Sequence, residues 1–321
     1  MGSYLPINKC SNEHLSNFVD TSDEWISKRS GIKNRHFVTD NEKTSDMSFF
    51  AASKAIENAE ISKNDIDLIV LATTTPDNTF PSTATLVQKK LEINAVSFDI
   101  QAVCAGFVFA LSVAKSMMIE GNYKNCLVIG ADSMSNLLDW NDRSTSVLFG
   151  DGAGAVILQK FENIECKYDD WGILSNIIHT NGQFYDLLKT NGGVSTNQKV
   201  GFIEMEGKEV FKHAVDKLSS SLEEALIASN KNIDELDYLV PHQANQRIIL
   251  AVADRLKIDV RKVISTVKDH GNTSAASIPL ALENAMNSNK ILNGNLIGLH
   301  AIGGGLSWGA SIIRIGKPKK L

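Results

Sequence analysis

The feature that most restricts the fold of this 321-residue chain is an internal repeat. The order helix, strand, strand, long helix, strand can be read twice. The first pass takes a helix around Phe49 to Asn58, strands at Asp67 to Ala72 and Val96 to Ile100, a long helix after Cys104, and a strand at Leu127 to Gly130. The second takes a helix around Val210 to Ala228, strands at Asp237 to Val240 and Val263 to Val267, a helix after Asn272, and a strand at Leu296 to Gly298. Three anchor pairs share nearly one shift: 170 residues from Asp67 to Asp237, 168 from Cys104 to Asn272, and 168 from Gly130 to Gly298. Alternating strands and helices predict helix-covered, mostly parallel sheets. The two halves, 1–165 and 166–321, are expected to pack face to face about a pseudo-two-fold axis, bringing the Cys104 and Asn272 turns together.

Bulk properties exclude several classes. The length suits two fused halves better than one core. With 43% hydrophobic and 21% charged residues the chain reads as an ordinary globular protein. A net charge of -5 argues against a nucleic-acid partner, so any basic docking surface has to be local. The four cysteines, at 10, 104, 126 and 166, form no C-x-x-C pair and no zinc-ligand spacing. Neither a disulfide framework nor a metal site is expected, and a reducing, cytoplasmic setting fits. No apolar stretch approaches the roughly 20 residues of a membrane span, and the N-terminus lacks a basic segment followed by a hydrophobic one.

Cys104 marks a change from strand-like to helix-like periodicity, which places its thiol at a strand-to-helix turn facing unpaired helix amides. A helix N-terminus can lower a thiol pKa by several units, so a reactive thiolate is expected there. His242 follows Pro241 at the end of a buried strand, where open α/β sheets place their ligands. Gly271-Asn272-Thr273-Ser274 suits a tight turn into a helix with Thr273 or Ser274 as N-cap, and its match in position to Cys104 makes Asn272 a site candidate. Cysteine, histidine and asparagine together serve acyl transfer in two ways. In a papain-like hydrolase the asparagine orients a basic histidine. In a carbon–carbon condensing site both side chains donate hydrogen bonds to a thioester oxygen that becomes an enolate. Residue types alone leave both open.

Further motifs carry structural and functional readings side by side. Gly303-Gly304-Gly305, between two apolar runs, reads as a hairpin turn, or as a place where a backbone N–H reaches a reacting carbonyl. Thr21-Ser22-Asp23-Glu24 matches a capping box opening a short helix, on which Trp25 and Arg29 share a face suited to clamping a flat ring. Gly150-Asp151-Gly152-Ala153-Gly154 fits no phosphate-loop pattern and reads as a turn between strands.

Six stretches resemble the β-ketoacyl-acyl-carrier-protein synthase III family of the thiolase-like superfamily: TSDEWISKRSGI from Thr21, AVCAGFVFALS from Ala102, FGDGAGA from Phe149, VPHQANQRII from Val240, HGNTSAASIP from His270 and AIGGGLSWGAS from Ala301. They span almost the whole chain in family order. The resemblance implies a layered αβαβα fold of two duplicated halves. It implies that Cys104 carries an acyl group, that His242 and Asn272 activate a malonyl thioester, and that the amides of Cys104 and Gly304 form an oxyanion hole. By the same matching, Trp25, Arg29 and Arg143 hold coenzyme A, and Phe149 lines the acyl pocket. Phe80, in Asn78-Thr79-Phe80-Pro81-Ser82, reaches into a partner subunit's pocket, so a homodimer follows. Lys212 and Arg247 match basic positions that receive the acidic acyl carrier protein.

The implied reaction transfers an acetyl group from acetyl-coenzyme A to Cys104 and condenses it with malonyl-carrier protein, releasing carbon dioxide, without a metal or redox cofactor. A biosynthetic thiolase would need a second active-site cysteine in the C-terminal half, where Cys166 lies outside any matching loop. An elongating synthase would carry histidine in place of Asn272. A polyketide-type or hydroxymethylglutaryl-type synthase, a cysteine hydrolase and a catalytically silent carrier-binding homologue remain as alternatives. Two departures stand out. Only Met1 precedes the Gly2-Ser3-Tyr4-Leu5-Pro6 segment where the family has a strand, which suggests a truncated or misassigned start with an uncovered sheet edge. The tail Gly316 to Leu321 extends past the usual final strand and is expected to be disordered.

Overall fold

The computed structural model describes residues 1–161 and 170–316. The expected boundary at 165/166, Cys166, and the tail beyond Gly316 lie outside the described residues.

Two mixed sheets enclose a layer of helices. The first has the order Gly2–Tyr4, Asp151–Gln159, Asn125–Ser133, Leu68–Ala72, Val96–Ile100. The second has the order Tyr238–Pro241, Leu296–Gly303, Ser307–Arg314, Gly172–Thr180. Leu68–Ala72 is parallel to both its neighbours, and Tyr238–Pro241 is parallel to Leu296–Gly303. The remaining pairs are antiparallel. The sheets are therefore less parallel than expected, because only strands joined by a helical crossover align and each half ends in strands that turn straight back.

Leu68–Ala72 is wholly buried along its length, since both of its faces meet helices. Leu68, Val70 and Ala72 face the central helix Gly106–Glu120, whereas Ile69 and Leu71 face the outer helices Thr44–Ala59 and Thr83–Leu91. On the other side, Gly207–Ala228 and Gln246–Arg255 cover the second sheet. With the second central helix, Ser277–Asn287, packed beside the first, the order is helix, sheet, helix, sheet, helix.

Four local expectations are corrected. The stretch Gly150 to Gly154 is no turn: Asp151–Gln159 is a strand, and its glycines let the second central helix approach. A Cβ at Gly154 would lie 2.7 Å from Pro279 Cβ and 2.9 Å from the Leu280 nitrogen. Val263 to Val267 is not a strand but one parallel bridge, Leu239 to Val263, followed by a helical turn at Val267–His270. The Gln243 side-chain oxygen accepts from the amides of Thr266 (2.8 Å) and Val267 (3.1 Å), removing donors a ladder would need. Gly2–Tyr4 itself pairs with Ala153 to Ala155, so the sheet edge is covered there. Val103 to Glu120 is long and apolar enough by composition to cross a membrane, contrary to expectation, yet Phe107, Val108 and Leu111 are buried between the sheets.

Candidate active site

Cys104 sits in a single 3-10 turn, Val103–Ala105, that runs into the first central helix. Val103 holds φ at 48° and Ser274, the first residue of the matching turn Ser274–Ala276, holds 50°, so both turns enter their helices through left-handed backbone. For a β-branched residue this is strained. The Cys104 turn packs on the turn Ser274–Ala276; the first rests against Leu296–Gly303 and the second against Asn125–Ser133. Glycine is required where the first meets its strand: a Cβ at Gly303 would lie 2.7 Å from the Cys104 nitrogen and 2.8 Å from the Ala102 oxygen. Gly304, next in the hairpin, packs with its α-carbon toward the Leu188 carbonyl, 2.7 Å from where a Cβ would stand.

The thiol is 4% exposed. Burial pushes it up to about 12, the Ser274 hydroxyl offsets part of that, and the Asp132 carboxylate adds to it. This is opposite to the lowering expected from the helix N-terminus, because desolvation inside the layered core outweighs it. The resting nucleophile is a neutral thiol.

His242 ends the strand Tyr238–Pro241 and is 3% exposed. Its backbone amide donates to the His300 carbonyl at 2.8 Å, and its Nδ1 lies 2.7 Å from Ser277 Oγ, at the start of the second central helix. The Gln243 amide donates to the same Ser277 oxygen at 3.3 Å, so the serine hydrogen is free to point at Nδ1. With the hydroxyl donating to Nδ1, the ring hydrogen sits on Nε2, which takes no hydrogen bond from the described residues. Burial, with His300 adding, pushes the imidazole down to about 3, so it is neutral at working pH.

Asn272 is 6% exposed and locked by its backbone, its amide donating to Leu148 O at 2.9 Å and its carbonyl accepting from Gly150 N at 3.0 Å. Its side-chain Oδ1 accepts from Ser274 N at 3.0 Å. Asn272 thus closes the turn itself, whereas neither Thr273 nor Ser274 caps the helix as expected, Ala276 standing at that position. With Oδ1 engaged, Nδ2 is the end available to a ligand. Asn272 does not hold His242; Ser277 does. A papain-like arrangement, in which the asparagine orients the histidine, is therefore not what is built here.

The other candidates divide. Trp25 is met by two guanidinium groups, Arg29 at 4.3 Å and Arg143 at 5.1 Å from the ring centroid. Their helix, Asp23–Ser30, is capped by Ser22, which accepts from the Trp25 amide at 3.2 Å, one residue later than the Thr21 start of the expected box. Phe149 is buried and bridges directly to Asn272, with Met134, Leu137 and Ile203 around it. Lys212 and Arg247 are exposed on two helices that pack together, Arg247 lying 5.5 Å from the Phe211 ring. Phe80 is 83% exposed. Among the described residues there is no cluster of three or more metal-ligating side chains, and Cys10, Cys104 and Cys126 are free.

Sequence reasoning missed Ser277 and Asp132. Ser277 lay inside a matched stretch but carries no chemistry until His242 is brought to it from 35 residues away. Asp132 lies 143 residues from the Ala275 amide it holds, and nothing local marks it.

The family model for 3-oxoacyl-[acyl-carrier-protein (ACP)] synthase III matches residues 98–182, and that for its C-terminal region matches residues 226–315. A β-ketoacyl-[acyl-carrier-protein] synthase III from Ehrlichia canis (strain Jake) is 54% identical over 316 residues, 98% of each chain. The counterpart from Rickettsia canadensis (strain McKiel) is 51% identical over 314 residues, 98% of this chain and 97% of that one. Among solved structures, the 3-oxoacyl-[acyl-carrier-protein] synthase III of Aquifex aeolicus VF5 superposes with a TM-score of 0.91 at 44% identity, covering 98% of both chains.

Proposed function

The chain belongs to the β-ketoacyl-[acyl-carrier-protein] synthase III family, the initiating condensing acyltransferases of fatty acid synthesis, and from that premise we propose how its own residues carry the reaction. Cys104 Sγ attacks the carbonyl of acetyl-coenzyme A. A carbon–sulfur bond to the enzyme forms as the one to coenzyme A breaks, and the thiol proton leaves on coenzyme A. The amides of Cys104 and Gly304 receive the oxyanion, a donor contribution of roughly 10²- to 10³-fold in rate. Malonyl-carrier protein then enters and loses carbon dioxide. The enolate oxygen accepts from His242 Nε2–H and Asn272 Nδ2–H, the enolate carbon attacks the acyl group, and Cys104 leaves as thiolate and is reprotonated.

The observation that carries this reading is that Asn272 Oδ1 is already used by the Ser274 amide and that His242 Nδ1 meets Ser277, so Nδ2 and Nε2 are the ends left for a ligand. What each side chain can still offer is a hydrogen, and a neutral imidazole suits a donor that must not become an ion pair.

Trp25, Arg29 and Arg143 clamp the adenine end of coenzyme A, and Phe149 forms the pocket wall for the acyl chain. Lys212 and Arg247 supply the local positive charge an acidic carrier protein needs on a chain of net charge -5. The 83% exposed Phe80 inserts into a second copy, making a homodimer. The free cysteines suit a cytoplasmic setting, and the chemistry needs no metal or redox cofactor.

The test is intact-mass spectrometry after acetyl-coenzyme A, followed by product analysis with malonyl-carrier protein. Acetylation at Cys104, lost in Cys104→Ala and retained in Asn272→Ala, together with acetoacetyl product, supports the assignment. Free acetate alone would point to a hydrolase.

A further inference from the structure

Asp132 lies at the end of the strand Asn125–Ser133, in the half that carries Cys104, and is fully buried. Its two oxygens are committed in different directions. Oδ1 accepts from the Thr74 amide at 2.6 Å and from the Thr73 and Thr75 hydroxyls at 3.2 Å each, all within its own half. Oδ2 accepts from the Ala275 amide at 3.2 Å, across 143 residues of sequence, in the turn that follows Asn272. A carboxylate is an acceptor at both oxygens, which is what two sets of converging donors require.

The Ala275 amide is one of the unpaired donors at the start of the second central helix. The amide just before it, that of Ser274, closes the Asn272 side chain. The backbone there has no slack: a Cβ at Gly130, two residues before Asp132, would lie 2.3 Å from the Ala275 oxygen. One side chain from the nucleophile's half therefore ties down the turn that aims the carboxamide of the other half.

Resting on the condensing reading above, we infer that Asp132 is a positioning residue, holding the Asn272 turn in register with Cys104 across the junction of the halves. The role belongs to decarboxylation. The Cys104 turn packs on the Ala275 turn and its thiol feels the Asp132 charge, so the role in decarboxylation is read from the variant that keeps that charge.

Asp132→Asn separates the two sides of this clamp. The amide oxygen is drawn to the three donors of Thr73 to Thr75, which leaves the NH2 group facing the Ala275 N–H, donor against donor. Its lost charge also reaches the Cys104 thiol, so acetylation changes there as well, and carbon dioxide release from malonyl-carrier protein falls at least about tenfold. In Asp132→Glu, which keeps the charge but moves it by one methylene, acetylation of Cys104 by acetyl-coenzyme A, followed by intact mass, is expected to stay within about threefold of wild type, whereas carbon dioxide release falls at least about tenfold. Equal losses in both half-reactions of Asp132→Glu, or wild-type rates in both, overturn the inference. A wild-type chain that releases no carbon dioxide overturns the condensing reading as well, so the two failures are distinguishable.

Discussion

His242 and Ser277 meet at 2.7 Å, imidazole Nδ1 to serine oxygen, with the serine standing at the first residue of the second central helix. The contact decides which face of the ring meets substrate. With the hydroxyl donating to Nδ1 beside the Gln243 amide, Nε2 keeps its own hydrogen as a donor. An imidazole of the other tautomer would present a lone pair to the enolate oxygen and repel it.

Ser277→Ala removes this control. A buried Nδ1 without its partner costs about 1–2 kcal/mol, so decarboxylation of malonyl-carrier protein is expected to slow by roughly 5- to 30-fold. Acetylation of Cys104 is expected to be unchanged. Carbon dioxide release and intact mass, measured on one preparation, check the split; a matched loss in both would show that the serine only supports the fold.

Gly303→Ala places a methyl group 2.7 Å from the Cys104 nitrogen and 2.8 Å from the Ala102 oxygen, both backbone atoms that cannot move aside. Overpacking of this kind costs about 1–3 kcal/mol of stability. Displacing the Cys104 amide is expected to lower acylation by roughly 10²-fold or more through the oxyanion hole. Thermal melting and the acetylation rate check the two effects separately.

The buried thiol gives a pH signature. Cys104 is held near 12 in the folded chain against roughly 8.5 in the unfolded one, so the folded state keeps its proton where the unfolded state has lost it. The stabilisation is complete below about pH 8.5 and is lost as pH rises toward 12, at up to about 1.36 kcal/mol per unit. Cys126, also pushed up by burial, acts in the same direction. Thermal melts from pH 7.5 to 10.5 are expected to fall less steeply in Cys104→Ala than in wild type. Iodoacetamide labelling of Cys104 is expected to keep rising through pH 10; a plateau below pH 8 would contradict a neutral resting thiol.

Trp25→Ala removes the ring that two guanidinium groups share at 4.3 and 5.1 Å. Cation–π contacts of this kind are worth about 0.5–2 kcal/mol, so KM for acetyl-coenzyme A is expected to rise roughly 2- to 30-fold. The rate at saturating acetyl-coenzyme A is expected to hold, because the ring lies away from the reacting atoms. Steady-state kinetics separate the two parameters.

Several features were legible before any coordinates because they are local. The apolar run at Leu68 to Ala72 and the switch of periodicity at Cys104 became the elements they predict, whereas the structural match to the Cys104 turn is Ser274–Ala276, which sets Ala275 rather than Asn272 opposite the cysteine. The errors share a cause. Glycines 150 to 154 looked like a turn because their use, admitting Pro279 and Leu280 to the face of a strand, involves residues more than a hundred positions away. Val263 to Val267 looked like a strand because nothing local shows that Gln243 takes two of its amides.

Sequence periodicity determined that the chain alternates strands and helices in two similar halves, since hydrophobic pattern acts through neighbours along the chain, and the family resemblance implied the layers. Only tertiary structure decided the chemistry of the site. Whether a thiol is raised or lowered depends on burial and on Asp132, and which imidazole nitrogen faces the substrate depends on Ser277. Desolvation and hydrogen-bond partners are set by groups that meet through space, and no spacing along the chain encodes them.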